Sequence, residues 1–463
     1  MDNVCAVIMA AGDGTRMKSS YPKVLCDVLF KPMITWVTDH VADAGIRDAC
    51  VVVREKEDRI APLLPRGFIT ATQSADKNKG YGTGYAVMMA ADFIKNGGFS
   101  DVVVLSGDAP FTGAQDILEA FEKHKSDGND VTVLTSMLKD PAGYGRIVRD
   151  GEGVAAIVEQ ADADEDTKLI GEINSGTYWF KAAFLLDALG NITSDNTKGE
   201  YYLTDTVAYA VETGRKAGAC VVSPDVVLGA NDRKGLSELN RLALDKVLDR
   251  LMADGVNIPF PDGIVIGADV EIGPDTTILP GTVIRGRTVI GAGCEIGPNS
   301  YLDNAAIGDG CRVISSYVDS STLENGVKIG PMSNIRPGCH IKPGVKIGDF
   351  VEIKNSTVGD GTAVAHLTYV GDADVGKNCN FGCGVVTSNY DGSKKYRTVI
   401  GDDVFIGGNT NLVAPVKLGN RVYSAAGTTV TDDVPDGALV IGRARQTVKE
   451  GWAERTGKYP KKT

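Results

Sequence analysis

A glycine-containing loop near the N-terminus combines small residues with two cations. It ends the apolar run Val4 to Met9 and reads Met9-Ala10-Ala11-Gly12-Asp13-Gly14-Thr15-Arg16-Met17, with Pro22-Lys23 just beyond. Small residues let the backbone approach a nucleotide closely, so that its amides can bind a base edge and phosphate oxygens. Arg16 and Lys23 add the positive charge that a triphosphate requires. The loop therefore favours nucleotide binding over a structural turn with two solvated cations.

A carboxylate stands at the end of another apolar run. Ser106-Gly107-Asp108-Ala109-Pro110 directly follows Val102 to Leu105, and Asp108 is well placed to hold Mg²⁺ against phosphates. Other short stretches combine glycines with polar residues: Gly82-Thr83-Gly84, Gly143-Tyr144-Gly145-Arg146 with Ile157-Val158-Glu159, Glu172-Ile173-Asn174-Ser175-Gly176, Gly199 to Asp205, and Gly229-Ala230-Asn231-Asp232-Arg233. Singly, each stretch fits a cap or a turn. Their order along the chain is what indicates a site.

A second group of polar residues surrounds one of the chain's four histidines, His366. Histidine is the side chain best suited to act as a general base near neutral pH. A histidine chosen blindly is more often a surface or stacking residue, but the company of His366 favours chemistry. That company consists of Arg336, Lys354, Tyr369, Asn380, Asn389, Tyr390 and Lys395.

Alternating strands and helices must position the first group. Short β-branched runs at Ala49 to Val53 and Val102 to Leu105 alternate with helical stretches at Ile34 to Ala44 and Gly84 to Ile94. This alternation predicts an α/β, Rossmann-like domain with a mainly parallel sheet, in which ligands bind at the carboxyl ends of strands. Leucines and Val247 at steps of three and four from Lys234 to Ala253 predict a linker helix.

The polar residues around His366 lie in a part of the chain that repeats every six residues, so this repeat must position them. Aliphatic residues recur every sixth position in three series: Ile266 to Leu302, Ile329 to Ile353, and Ile400 to Leu418. Such hexapeptide repeats predict an all-β, left-handed parallel β-helix, with glycines at its corners. The register slips near 303–328, 358–375 and 386–397, and the polar loop Ser388 to Lys395 in the last slip is expected to be functional. The predicted domains are residues 1–233, the linker helix 234–254, and residues 255–463.

Composition narrows the function classes. The chain has 463 residues and a net charge of -12, and no basic face favours nucleic acid. Nine unpaired cysteines indicate reduced thiols, and we expect a cytoplasmic protein because neither a signal peptide nor a membrane-spanning run of about 20 apolar residues is apparent.

The nucleotide loop and the stretches that follow it resemble the sugar-phosphate nucleotidyltransferases. Their order is similar to that in the uridylyltransferase domain of the bifunctional bacterial enzymes that make UDP-N-acetylglucosamine, a precursor of peptidoglycan and lipopolysaccharide. The resemblance implies that Arg16 and Lys23 act in catalysis and that Asp108 and Asn231 hold Mg²⁺. It implies a site for UTP and UDP-N-acetylglucosamine at Met9, Ala10, Ala11, Gly12, Gly14, Lys23, Gln73, Gly82, Thr83, Ser106, Gly107, Asp108, Gly145, Glu159, Asn174 and Asn231. The loop between Gln73 and Gly82 is longer than in the family.

The second group resembles the acetyltransferase domain of the same family. By that resemblance His366 is the general base, and Arg336, Lys354, Tyr369 and Asn380 bind glucosamine 1-phosphate. Acetyl-CoA would contact Cys383, Asn389, Tyr390, Lys395, Gly408, Ala426 and Arg443, where the family often has alanine at the position of Cys383 and serine at that of Gly408. A homotrimer is implied as well.

The implied function is twofold. The enzyme would acetylate glucosamine 1-phosphate with acetyl-CoA and then transfer uridylyl from UTP to N-acetylglucosamine 1-phosphate. Two alternatives remain open: a nucleotidyltransferase whose β-helix is regulatory, and a β-helix that serves only as a trimerisation scaffold. The polar residues around His366 argue against both.

Overall fold

The computed structural model describes residues 3–12, 14–19, 21–76, 78, 80–151 and 153–458. Asp13 of the nucleotide loop and residues 459–463 lie outside these described residues. The chain divides into two compact units, Met1–Ala243 and Leu244–Thr463. The predicted domain boundaries stay a prediction, although the linker helix is found at Arg233–Ala253, one residue before its predicted start.

The N-terminal unit is an α/β domain. Its strands are β1 (Val4–Met9), β2 (Asp27–Val28), β3 (Lys31–Pro32), β4 (Asp48–Arg54), β5 (Phe68–Gln73), β6 (Asp101–Ser106), β7 (Val131–Met137), β8 (Arg146–Asp150), β9 (Gly153–Val158), β10 (Glu172–Lys181) and β11 (Ala217–Val221). Its helices are α1 (Met33–Asp43), α2 (Thr83–Met88), α3 (Ala91–Gly97), α4 (Ala114–Ser126), α5 (Glu165–Lys168), α6 (Ala182–Leu189) and α7 (Asp205–Glu212), followed by α8 (Arg233–Ala253).

The main sheet has the order β11-β7-β10-β6-β1-β4-β5, with the β8–β9 hairpin attached to β10. Its pairs are parallel except for those of β10, which runs antiparallel to β6, β7 and β8, and for the antiparallel pair within the β8–β9 hairpin. Buried apolar side chains cover both faces of the sheet because helices pack on each side. The predicted α/β fold is confirmed, and the register pairs Met9 with Ser106 at the carboxyl ends of β1 and β6.

One predicted helix is wrong in extent. The stretch Gly84 to Ile94 forms two helices, α2 and α3, instead of one. The break lies at Ala90, whose φ of -94° and ψ of 2° are not helical. Its N–H donates to the carbonyl of Val87, three residues earlier, so the last turn of α2 tightens and ends.

The C-terminal unit is a parallel β-helix of three sheets, here called faces 1, 2 and 3. Face 1 contains Val265–Ile266, Val283–Arg285, Tyr301–Asp303, Tyr317–Asp319, Asn334–Ile335, Glu352–Lys354, Tyr369–Gly371, Val386–Ser388, Asn411–Val413 and Thr429–Val430. Face 2 contains Glu271–Ile272, Val289–Ile290, Ala306–Ile307, Thr322–Leu323, His340–Ile341, Thr357–Val358, Ala373–Val375, Thr398–Ile400 and Val416–Leu418. Face 3 contains Thr277–Ile278, Glu295–Ile296, Arg312–Val313, Lys328–Ile329, Lys346–Asp349, Ala363–His366, Asn380–Phe381, Phe405–Ile406, Tyr423–Ser424 and Leu439–Val440.

The three register slips have two different structural causes. In the first two slips several corners are one residue shorter. Ile307, Val318 and Leu323 in the first slip, and Val358 and Val375 in the second, each follow the preceding inward residue after five positions instead of six. In the third slip a loop is inserted between the strands Val386–Ser388 and Thr398–Ile400. The predicted β-helix of hexapeptide repeats is confirmed, because its strands stay stacked through all three slips. A short helix, α9 (Trp452–Thr456), follows it.

The inward aliphatic residues are expected to carry the stability of this domain. Ile284 is fully buried, and its replacement by alanine should lower the free energy of unfolding by about 2–5 kcal/mol because a cavity replaces the side chain. Val289, which is 46% exposed on face 2, offers a control whose replacement by alanine should matter little. Urea unfolding of both variants is the measurement, and equal midpoints would contradict the assignment of Ile284 to the core.

Candidate functional sites

A cavity of about 750 Å³ opens at the carboxyl ends of the central strands. Nine predicted site residues line it: Met9, Ala11, Gly12, Lys23, Gln73, Gly82, Thr83, Ser106 and Asp108. Val24, Tyr81, Ala86 and Glu200 also line it and were not predicted. Gln73 is the last residue of β5, is 4% exposed and lines the cavity. The longer loop begins after Gln73, so it leaves this side chain in the cavity wall.

Close backbone packing holds the floor of this cavity. Ala10 donates its N–H to Val52 O at 2.8 Å, and Gly107 donates to Met9 O at 2.9 Å. A Cβ atom on Gly107 would lie 3.0 Å from Met9 O, so this position has no room for a side chain. Both residues therefore fit the predicted site as parts of its backbone, although their side chains do not line it.

Four polar side chains meet at the mouth of the cavity. Lys23 Nζ forms an ion pair with Asp108 and donates to Asn231 Oδ1 at 3.1 Å. Arg16 donates to the same Asn231 oxygen at 3.1 Å. The two predicted metal ligands, Asp108 and Asn231, thus present oxygens around one common point.

These oxygens fit the chemistry of Mg²⁺. The ion prefers oxygen ligands and is often held by one or two carboxylates, with water and substrate phosphates completing its octahedron. Within the described part of the chain, no group of three or more His, Cys, Asp or Glu residues gathers in a way that could hold a metal ion. The pair formed by Asp108 and Asn231 is the remaining candidate for a metal site. Lys23 contacts both residues and could instead bind a phosphate.

Gly82 and Thr83 are held by a neighbouring segment. Tyr201 donates its N–H to Tyr81 O at 2.8 Å, and its own carbonyl accepts from Gly84 N–H at 2.8 Å. Thr83 Oγ1 accepts from Leu203 N–H at 2.9 Å. Gly82 has a φ of 113°, and a Cβ atom there would collide with the carbonyl of Tyr201. Only glycine allows this approach, which brings Gly82 to the cavity wall.

The residues predicted to contact the sugar gather around Gly145. Its carbonyl accepts from Asn174 N–H at 2.9 Å, and a Cβ atom on Gly145 would lie 3.6 Å from Glu159. Asn174 donates to the Tyr178 hydroxyl at 2.6 Å, while Thr204 donates to Glu159 at 3.3 Å. Burial raises the pKa of Glu159. The structure therefore places Gly145, Glu159 and Asn174 together, as the resemblance implied.

Replacement of Glu159 by glutamine should weaken binding of the sugar and increase the stability of the folded protein. Burial raises the pKa of the Glu159 carboxyl in the folded protein, so the carboxyl resists ionisation there. As pH rises through this raised pKa, the carboxyl is forced to ionise and the free energy of unfolding falls. The Glu159→Gln variant escapes this cost and should have a higher Tm than the parent at pH 7, with the difference shrinking on acidification. Its KM for N-acetylglucosamine 1-phosphate should rise about tenfold because a charged hydrogen bond is lost.

Thermal unfolding at pH 7 and at acid pH, together with kinetics, checks this expectation. Glu165→Gln is the matched control, because Glu165 is 93% exposed and pairs with Lys168 on the surface. A Glu159→Gln variant with an unchanged KM, or one less stable than the parent at pH 7, would contradict the expectation.

A column of predicted residues follows one corner of the β-helix. The register of face 3 pairs Val364 with Phe381, Phe381 with Ile406, and Ile406 with Ser424. The residues two positions further along therefore stack as one column on four successive coils: His366, Cys383, Gly408 and Ala426. Backbone hydrogen bonds tie the column, from Gly384 N–H to His366 O and from Gly427 N–H to Gly408 O.

The upper part of this column consists of small side chains. Cys383 is exposed, and the place of a Cβ on Gly408 is 3.3 Å from Cys383 O. Arg443 lies at the top, with its Cδ atom 3.6 Å from the place of a Cβ on Gly427. The column thus runs from a cation through small residues down to His366, which is exposed.

A second set of predicted residues, the face 1 group, lies on face 1 and in the loop inserted after it, and its member Tyr369 follows His366 by three residues. It consists of Arg336, Lys354, Tyr369, Asn389 and Lys395. Arg336 donates to Glu352 at 2.8 Å, and Asn389 Nδ2 lies 3.5 Å from the Tyr369 hydroxyl. The neighbouring Lys354 lowers the pKa of Lys395.

Two predicted residues stand at the edges of this arrangement. Asn380 begins a face 3 strand, is exposed, and pairs in register with Ala363 of the strand that ends at His366. Tyr390 is 60% exposed and turns its hydroxyl to Gly392 O at 2.6 Å. Asp372, which contacts Asn389, was not predicted, because no pattern in the sequence separates it from the corner residues of other coils.

The fold and the sites define a class of protein: a nucleotidyltransferase domain followed by a hexapeptide β-helix of the acyltransferase type. A family model described as nucleotidyl transferase matches residues 5–225, and one described as the GMPPB C-terminal domain matches residues 317–425. Three relatives carry the name bifunctional protein GlmU. The relative from Caldanaerobacter subterraneus subsp. tengcongensis is 50% identical over 98% of both chains. Those from Acetivibrio thermocellus and Clostridium botulinum are 45% and 43% identical, over 99% and 98% of this chain and 98% of their own.

The chain belongs to the family of bifunctional GlmU proteins. This membership confirms the prediction of a bifunctional transferase of UDP-N-acetylglucosamine biosynthesis that acts on small-molecule substrates. Among the described residues, no helix has the length and apolar character that crossing a membrane requires.

Proposed function

We propose that the two predicted reactions occur at the two sites described above. The cavity at β1 and β6 transfers uridylyl from UTP to N-acetylglucosamine 1-phosphate, and the corner at His366 transfers acetyl from acetyl-CoA to glucosamine 1-phosphate. The observation that carries the proposal is the convergence of the site residues. Nine of them line one cavity, and four form one column on the β-helix.

At the first site, the sugar phosphate oxygen attacks the α-phosphorus of UTP, and pyrophosphate leaves. Lys23 and Arg16 draw the phosphates to the mouth of the cavity, while Gln73, Gly82 and Thr83 shape the side proposed for the base. Asp108 and Asn231 would hold Mg²⁺, which would neutralise charge on the phosphate oxygens when bound. Positioning and charge neutralisation are the main requirements of such a transfer.

At the second site, the 2-amino group of glucosamine 1-phosphate attacks the thioester carbon of acetyl-CoA. The new C–N bond forms as the C–S bond breaks; His366 takes one proton from the amine and passes it to the departing thiolate sulfur, so that free thiol leaves and the imidazole returns to its neutral form. The small side chains of Cys383, Gly408 and Ala426 leave room for an extended thioester arm along the column. The cations Arg336 and Lys354 suit the sugar phosphate.

We propose a homotrimer as well, with a second copy of the chain covering the corner beside His366. Met332, Phe350 and Leu367 occupy equivalent corner positions on three successive coils and are 60%, 62% and 60% exposed. A contiguous exposed apolar stripe marks an interaction surface. Its last member is the residue next to His366, so the same contact would close the active site. We also propose that the protein acts in the cytoplasm, where its nine free cysteines would stay reduced.

Two assays of the unmodified protein test the proposed activities. Release of free thiol from acetyl-CoA with glucosamine 1-phosphate reports acetyl transfer, and Mg²⁺-dependent release of pyrophosphate from UTP with N-acetylglucosamine 1-phosphate reports uridylyl transfer. We expect both. Pyrophosphate release without thiol release would favour the alternative of a nucleotidyltransferase with a regulatory β-helix.

A further inference from the structure

A carboxylate with no part in the chemistry above lies inside the face 1 group. Asp372 follows the strand Tyr369–Gly371, has a φ of 50° and is 8% exposed. Its N–H donates to Lys354 O at 3.0 Å, and its carbonyl accepts from Thr398 N–H at 3.1 Å. Carboxylates are almost never buried unless they are paired, so the partners of Asp372 indicate its role.

Both oxygens of this carboxylate are engaged by side-chain amides. Asn355 Nδ2 donates to Oδ1, and Asn389 Nδ2 donates to Oδ2. Asn389 stands at the start of the inserted loop that also carries Tyr390 and Lys395, so Asp372 anchors that loop to the regular coil. Without this acceptor, the amide of Asn389 keeps only a contact of 3.5 Å with the Tyr369 hydroxyl.

The same carboxylate faces a pair of like charges. Lys354 lowers the pKa of Lys395, whereas Asp372 and Tyr369 raise it. Burial raises the pKa of Asp372, but the amides of Asn355 and Asn389 and the two ammonium groups outweigh burial and hold it below its usual range. Arg397 is a further cation; its hydrogen bond to Asp374 is the main reason that its pKa is raised, and Asp372 adds to the effect. The charge of Asp372 therefore favours the charged forms of both lysines.

We propose that Asp372 is a positioning residue of the acetyl-transfer site. It orients Asn389 at the start of the inserted loop and places a negative charge near Lys354, proposed for the sugar phosphate, and near Lys395, proposed for acetyl-CoA. This inference rests on the proposed acetyltransferase function.

The Asp372→Asn variant tests it. Asparagine keeps the size of the side chain and tolerates a positive φ, so the change removes the charge and one acceptor with little backbone strain. We expect kcat/KM for glucosamine 1-phosphate to fall about tenfold because Asn389 loses its charged partner. We also expect the alkaline limb of the pH profile to move to lower pH, because Lys395 loses the charge that offsets Lys354.

A second variant separates positioning from folding. The reciprocal exchange Asp372→Asn with Asn389→Asp returns a carboxylate to the same pair, and it should move the alkaline limb back toward the parent. Asp360→Asn, which removes an exposed carboxylate elsewhere on the β-helix, should leave the profile unchanged. Urea unfolding of each variant, followed by circular dichroism, reports the integrity of the β-helix.

The inference is overturned if the Asp372→Asn profile superimposes on that of the parent, or if the reciprocal exchange leaves the limb displaced. Failure of the proposed function would look different, because the unmodified protein itself would then release no thiol from acetyl-CoA.

Discussion

Replacement of His366 by alanine is expected to lower the rate of acetyl transfer by about 10²–10⁴-fold, the range typical of a positioned general base. The amine of glucosamine 1-phosphate must lose a proton as it attacks the thioester, and His366 is the one histidine in the column. Its side chain is exposed, so its loss leaves no cavity in the core. Thiol release from acetyl-CoA, measured at saturating substrates, checks the expectation.

The β-helix offers a matched control for this change. His340 lies on face 2, forms an ion pair with Glu324 and is 43% exposed. Its replacement by alanine should leave thiol release within about twofold of the parent, because an exposed ion pair contributes little. Equal rates in the two variants would refute a role for His366 as base, and a loss in both would point to a general effect on the domain.

Replacement of Asp108 by asparagine is expected to lower pyrophosphate formation by about 10²–10³-fold, the cost usual for removal of one charge-stabilising group. The change keeps the shape of the side chain but removes the charge that pairs with Lys23 and that would hold Mg²⁺ with Asn231. The variant should also need more Mg²⁺ for half of its maximal rate. Pyrophosphate release over a Mg²⁺ titration measures both effects.

Asp92 supplies the control for this second change. It lies exposed in the first turn of α3, outside the cavity, so Asp92→Asn should keep both the parent rate and the parent Mg²⁺ dependence. A normal Mg²⁺ requirement in Asp108→Asn would contradict the assignment of Asp108 to the metal, even if the rate fell.

The features that the sequence predicts best are those that depend on residues close together in the chain. A period of six places most inward aliphatic residues of the β-helix, because each strand forms one side of a coil. The loop from Met9 to Arg16 indicates phosphate binding because glycines and cations are read from neighbouring positions. Both predictions need no knowledge of distant contacts.

Features that depend on stacking and pairing were out of reach. The column of His366, Cys383, Gly408 and Ala426 appears only when the length of each coil is known, and the inserted loop separates Cys383 from Gly408 by an irregular 25 residues. The antiparallel direction of β10 follows from its connections rather than from its composition. Asp372 has the same appearance in sequence as other corner residues, and only its contacts with Asn389 and Asn355 distinguish it.

Two independent sites on one chain are the central claim, and a crossed comparison tests it most directly. Thiol release and pyrophosphate release are measured on the same preparations of the parent, His366→Ala and Asp108→Asn. We predict that each variant loses one activity and keeps the other within about twofold of the parent, because His366 is exposed, Asp108 is half-buried at a cavity mouth, and the two residues belong to separate sites. Loss of both activities in either variant, with the fold preserved by circular dichroism, would contradict the claim.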